Sequence, residues 1–138
     1  MNMDNVEKIN WQPNYSVGNS ILDEQHKQLL SLCNKAVDCM QSNSPESRAN
    51  FHLILNDLAN YAENHFRMEE DILARCNYPL LESHKAEHIA YQVRLTDFLL
   101  EATTGKIDKA GLSQYLAQWW RDHILCSDKQ YVQTIIKQ

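Results

Sequence analysis

Glycine and proline are scarce in this chain of 138 residues, with three of each, and those two residues are the strongest local breakers of regular structure. Together with an apolar fraction of 43% and a charged fraction of 22%, the scarcity excludes fibrous and disordered classes and leaves a globular one. No run of about 18 consecutive apolar residues occurs, which excludes a membrane-spanning helix, and the opening MNMDNVEKIN lacks the apolar stretch of a secretory signal. There is no basic block. Thirteen Lys+Arg against eighteen Asp+Glu give a net charge of -5, so neither nucleic acid nor an anionic membrane surface is an expected partner. The four cysteines, Cys33, Cys39, Cys76 and Cys126, form no C-x-x-C pair, and reduced thiols are expected rather than a disulfide framework or a zinc site. The expected location is cytoplasmic. The length suits one domain over 1–138, enough for one core and too little for a sensor joined to an effector.

The few breakers divide the chain. Pro13 and Gly18 fall in an N-terminal arm (1–19), Pro45 and Pro79 stand alone, and Gly105 and Gly111 flank a short connection. Between them lie four long stretches in which apolar residues recur at three- and four-residue spacing, as on one face of a helix. Leu22, Leu29, Leu30, Cys33 and Val37 form the first stripe; Phe51, Leu55, Leu58 and Ala62 belong to the second. Leu81, Tyr91, Leu95 and Phe98 mark the third, and Leu112, Leu116 and Trp119 the fourth. Ser20 with Asp23 resembles a capping box, and Ser44 before Pro45 supplies an N-cap and a first-turn proline. The expectation is an all-α, up-down-up-down four-helix bundle with helices at about 20–43, 45–76, 80–104 and 109–137.

Each stripe contains an imidazole where an apolar residue is expected: His26, His65, His84, His88 and His123. A buried polar group without a partner costs about 1–3 kcal/mol. One such histidine is ordinarily satisfied within the core, whereas five from four helices need a common explanation. His65 with Glu69, and His84 with His88, stand four apart and therefore share a helix face. Asp128 follows His123 and completes a set of five imidazoles and two carboxylates. A shared cation satisfies such a set. Seven ligands exceed one four-coordinate zinc and suit two metals bridged by two carboxylates. Imidazole with carboxylate suits iron, and residue type alone is equally compatible with zinc, copper or manganese. With both carboxylates and one bridging oxygen counted, a three-His ion has six ligands and a two-His ion five. One position is left for a small diatomic molecule.

Four segments, in order, resemble the hemerythrin family and within it the single-domain bacteriohemerythrins: WQPNYSVG with LDEQHKQLL, NHFRMEEDIL, CNYPLLESHKAEHIAY, and WWRDHILCSDKQY. The likeness runs from about Trp11 to Tyr131. It implies a non-haem di-iron centre with an oxo or hydroxo bridge, with His84, His88 and His123 on one iron and His26 and His65 on the other. It also implies that Glu69 and Asp128 bridge the pair, and that O2 binds reversibly at the two-His iron as a peroxide-level adduct. Oxygen storage, transport, delivery or sensing follows, with O2 as ligand and a protein recipient of oxygen or a signalling partner. The protein is expected not to be an enzyme. The alternative is a di-iron oxidase, peroxidase or nitric-oxide-reducing enzyme using the same open position. Against it, no inward-facing pair of E-x-x-H motifs, the pattern of di-iron carboxylate enzymes, occurs.

His123 and Asp128 are five residues apart, which on a regular helix separates them by about 140° around the axis. A local irregularity, a π-type turn or a distorted turn, is therefore expected between them. Trp119 and Trp120 are expected to pack in the core or against a neighbouring helix, with one of them lining an apolar pocket beside the site as the alternative. Phe66 and Ile124 are similar candidates. Tyr91 is a candidate to hydrogen-bond near the site, with a packed ring and a surface hydroxyl the leading expectation, and His52 is expected to be a surface histidine. Glu87 and Asp122 are candidates to orient ligand imidazoles, with a water-facing position the leading expectation for both. The arm around Trp11 and Tyr15 is expected to fold over a bundle end.

Overall fold

The chain changes direction where caps and left-handed residues allow it. In the computed structural model, which describes residues 8–41 and 44–136, the helices are α1 (Ser20–Cys39), α2 (Pro45–Arg75), α3 (Leu81–Thr103), α4 (Lys109–Asp122) and α5 (Lys129–Ile136). A π-helical turn over His123–Asp128 fuses α4 to α5 into one fourth rod, and a 3-10 turn spans Pro13–Tyr15 in the arm. The result is an all-α four-helix bundle, with no strand among the described residues.

Three helices start on a side-chain cap, which satisfies one of the orphan N–H groups of the first turn. Ser44 accepts from the Ser47 N–H at 3.1 Å, as the sequence suggested, and Asp108 accepts from the Gly111 N–H at 2.9 Å. The first helix differs from expectation. Its cap is Asn19, which accepts from the Leu22 N–H at 3.0 Å. The carboxylate of Asp23 is taken by the arm instead, accepting from the Val17 N–H at 2.9 Å and the Ser16 hydroxyl at 2.5 Å. The ends of α2 and α3 share one device. Asn77 (φ 56°) and Gly105 (φ 73°) adopt left-handed backbone. The next N–H then reaches back across the last turn, Tyr78 to the Leu73 carbonyl at 3.0 Å and Lys106 to the Glu101 carbonyl at 3.2 Å. The first helix ends at Cys39, short of the expected residue 43, as Met40 and Gln41 already turn; residues 42, 43 and 137 lie outside those described.

Helix α1 packs on α2 and on α4, and α2 packs on α3. The α3–α4 seam is built from rings: Tyr91 against Tyr115 and Trp119, and Phe98 against Tyr115. Two apolar clusters result. The larger includes Leu29, Leu55, Leu58, Leu95, Leu112 and Leu116; the smaller comprises Val17, Leu22, Leu73, Tyr78 and Tyr131. Along every rod the histidines and acids fall between the two, so the core is apolar, then polar, then apolar again.

The arm runs along α1 rather than over a bundle end. Ile9 exchanges two backbone hydrogen bonds with the Asn34 side chain, at 2.9 and 2.7 Å. Farther along, Trp11 meets Tyr15 edge-on at 5.7 Å, and Lys129 donates to the Ser16 carbonyl at 2.8 Å, tying the arm to the fourth rod.

Leu55 is fully buried in the larger cluster and lies about 15 Å along α2 from His65 at 1.5 Å per residue. Leu55→Ala is expected to lower unfolding stability by about 2–5 kcal/mol. The check is a reduced urea midpoint at unchanged slope, with metal stoichiometry preserved.

Candidate metal centre

All seven residues singled out from the sequence meet in the polar layer, and none exposes more than 4% of its surface. Each rod contributes. His26 comes from α1, His65 and Glu69 from α2, His84 and His88 from α3, and His123 and Asp128 from the two ends of the π-turn. The expected irregularity is thus present. In a π-turn the hydrogen bonds span five residues, and here the Lys129 N–H reaches the Ile124 carbonyl, so groups five apart return to one side.

Both carboxylates are divided between two groups of imidazoles. Glu69 Oε1 lies 2.6 Å from His84 Nε2 and 3.1 Å from His88 Nε2, while its Oε2 lies 3.4 Å from His65 Nε2 and 3.6 Å from His26 Nε2. Asp128 Oδ1 lies 3.0 Å from both His84 Nε2 and His123 Nε2, and its Oδ2 lies 3.1 Å from His26 Nε2. Two clusters of possible ligand atoms follow, Glu69 with His84, His88 and His123, and Glu69 with His26 and His65.

The protonation pattern tests whether a cation suits this layer. His88 and His123 donate their Nδ1 protons outward, to Glu70 Oε2 at 2.7 Å and Glu87 Oε2 at 2.8 Å. Their Nε2 atoms therefore present lone pairs inward, and those two atoms are only 3.0 Å apart. Facing lone pairs repel unless a proton or a metal ion lies between them. His65 likewise commits Nδ1 to the amide oxygen of Gln25 at 2.6 Å, leaving Nε2 without a hydrogen-bond partner among the described residues. Among the described residues both nitrogens of His26 and both oxygens of Asp128 also make no well-directed hydrogen bond, despite the imidazole contacts at 3.0–3.1 Å. Buried orphans at this density suit ligands of divalent transition ions, and the imidazole–carboxylate donor set fits iron.

Without metal, protons take that place. Burial alone would lower the pKa of His26, but the carboxylates of Asp128 and Glu69 outweigh it and raise the group to about 9. The same opposition raises His84 to about 10 and His123 to about 9, with Glu87 assisting at His123. His65 goes the other way, because burial dominates and its value falls. Burial opposes ionisation of Glu69, yet the surrounding imidazoles hold it well below the ordinary carboxylate range. Asp128 is likewise held down, against burial and the charge of Glu69, with His123 and His26 facing it.

Aromatic rings clamp the imidazoles. Phe66 stacks on His88 at 3.8 Å and 10°, and Trp119 on His123 at 4.4 Å and 14°. Trp120 stacks on Phe66 and approaches His65 at 6.3 Å. Its indole N–H is spent on the Tyr91 hydroxyl at 3.0 Å. Tyr91 is therefore wholly buried, contrary to the expectation of a surface hydroxyl. Glu87, half-exposed on α3, accepts from His123 and so takes the imidazole-orienting role, the second of its two expectations. Gln25, Glu70 and Tyr131 were not singled out from the sequence. Gln25 and Glu70 each adjoin a site residue in the chain, a signal that adjacency alone did not make specific. Tyr131, one turn past Asp128, donates to Glu69 Oε2 at 3.0 Å. Cys126 is exposed, and His52 is partly buried beside Phe51 outside the cluster.

Similarity to known proteins agrees with this arrangement. The hemerythrin HHE cation binding domain matches residues 17–135. A hemerythrin-like protein of Naegleria gruberi is 34% identical over 123 residues, covering 89% of this chain and 90% of that protein. A bacteriohemerythrin of Clostridium acetobutylicum is 27% identical, covering 88% and 97% respectively. A crystal structure of wild-type hemerythrin superposes with a TM-score of 0.84 at 23% identity, over 92% of this chain and 97% of that one. A cation-binding domain matched over residues 17–135, on a four-helix frame whose core gathers imidazoles and carboxylates, makes this chain a member of the hemerythrin family.

Proposed function

We propose that this protein binds O2 reversibly at a pair of non-haem iron ions, one held by His84, His88 and His123 and the other by His26 and His65. Glu69 and Asp128 span the two. The observation that carries the reading is the division of each carboxylate, one oxygen toward each group of imidazoles. A di-iron pair supplies electrons to O2 and takes them back when O2 leaves.

The surrounding residues suit storage or delivery of O2 rather than its consumption. Phe66 and Trp120 wall the His65 side with carbon, and the one N–H of Trp120 is already committed to Tyr91. Water and loose protons are thereby kept from the two-imidazole half. Tyr131 holds its proton on Glu69 Oε2, the oxygen that faces this half. Burial and the charges of Asp128 and Glu69 raise its pKa well above the ordinary value, so it remains a donor.

The first test is spectroscopic. Metal-free protein loaded anaerobically with ferrous iron, exposed to O2 and then purged, is expected to cycle repeatedly between coloured and colourless forms. Irreversible oxidation with consumption of a co-substrate would favour an oxidase or peroxidase instead. His65→Ala is expected to retain iron at the three-imidazole half and to lose the reversible cycle. Normal cycling by that variant would remove His65 from the site.

Proton linkage gives a second test. At pH 7 the metal-free site holds protons on His26, His84 and His123, whose values lie at about 9, 10 and 9, and metal ions must displace them. Loading is expected to release protons, measured by pH-stat, and apparent affinity is expected to climb with pH up to about 9–10. The stability of metal-free protein has the opposite slope. Raised imidazole values contribute fully below the ordinary 6.5 and are lost as pH rises through about 9–10. Depressed carboxylates contribute above their ordinary 4.5 and are lost on acidification. The metal-free melting temperature is therefore expected to peak between 4.5 and 6.5, and a flat profile from there to pH 10 would contradict the assignment.

A further inference from the structure

The atoms immediately outside the polar layer are divided unevenly between its two halves. On the three-imidazole side, His88 and His123 each donate Nδ1–H to a carboxylate, Glu70 at 2.7 Å and Glu87 at 2.8 Å. On the two-imidazole side, His65 donates to the neutral amide oxygen of Gln25 at 2.6 Å, and His26 Nδ1 has no hydrogen-bond partner among the described residues. The Gln25 amide is oriented by its nitrogen, which lies 3.0 Å from the Met68 sulfur. Two carboxylates thus back one half, and among the described residues none accepts from an outer nitrogen of the other.

A carboxylate that accepts the outer N–H of an imidazole pushes electron density toward the inner nitrogen and makes it a stronger metal donor. Removing such a partner typically costs about 10–100-fold in metal affinity. The posture of the rings does not depend on that charge, since His88 and His123 are also held face-on by Phe66 and Trp119. Charge can therefore be varied with the imidazoles in place.

We propose that Glu70 and Glu87 are positioning residues that make the His84–His88–His123 half the tight ion position, filled first, and that Gln25 keeps the His26–His65 half weak and exchangeable. This rests on the two-ion reading given above. The half proposed to bind O2 would then also be the one that loses its ion first.

Unequal ligand number, three imidazoles against two, predicts the same order of filling, so the test varies only the outer acceptors. Full-length metal-free protein is titrated anaerobically with ferrous iron in a calorimeter, with bound ions counted by native mass spectrometry. Wild type is expected to fill in two separate steps. Glu70→Gln is expected to weaken the tighter step by about 10–100-fold. Glu87→Gln should do so by less, because the Glu70 side chain is 25% exposed and that of Glu87 47%, and water screens the more exposed charge. Gln25→Glu is expected to strengthen the weaker step by a similar factor and bring the two together. Each replacement keeps an acceptor oxygen, so unchanged circular dichroism is expected and checks the fold. Two steps with constants unmoved in all three variants would overturn the proposal in favour of ligand number. No uptake of iron by wild type would overturn the two-ion reading and this inference with it.

Discussion

Two ionised carboxylates lie at the centre of this bundle, fully buried, facing five imidazoles that cannot all be satisfied by one another. Most of the architecture follows from that constraint. An uncompensated buried charge would favour an unfolded or rearranged chain. The layer persists because positive charge, on protons or on metal, is shared across it. The two apolar clusters on either side close the layer off from water, which strengthens each electrostatic contact within it.

The layer is held from outside as much as from within. Imidazole rings rotate easily unless both their faces and their outer nitrogens are occupied. Here Phe66 and Trp119 cover faces, and Glu70, Glu87 and Gln25 take outer protons. Tyr131 steadies the shared carboxylate of Glu69 from below. Because these supports come from α1, α2, α3, α4 and α5, the site exists only when all the rods are docked.

Much of this was legible in the sequence for a physical reason. Helical periodicity fixes which residues face inward, and a histidine on an otherwise apolar face is conspicuous, so the seven central residues could be named. The π-turn was legible too, because His123 and Asp128 could not face the same way on a regular helix. What periodicity does not fix is the partner across a helix interface. Glu87 and Glu70 stand on flanks that read as solvated, and only the packing of α3 against the fourth rod and of α2 against α3 turns them toward imidazoles. Tyr91 read as a packed ring with a wet hydroxyl, but the Trp120 indole, one seam away, claimed that oxygen. The cap of α1 moved to Asn19 because the arm competed for Asp23, a contact set by tertiary folding rather than by local pattern.

The extra residue within His123–Asp128 acts as a phase adjuster between the two halves of the fourth rod. Upstream, Leu116 and Trp120 mesh with the larger apolar cluster; downstream, Tyr131 meshes with the smaller. The two gears are out of step by about one residue, or 100° of rotation. The turn absorbs that difference at the level where Asp128 must point inward. Leu125, which packs against the larger cluster, Cys126, and Ser127, which hydrogen-bonds Glu87, fill that span, and their number sets the alignment of everything that follows.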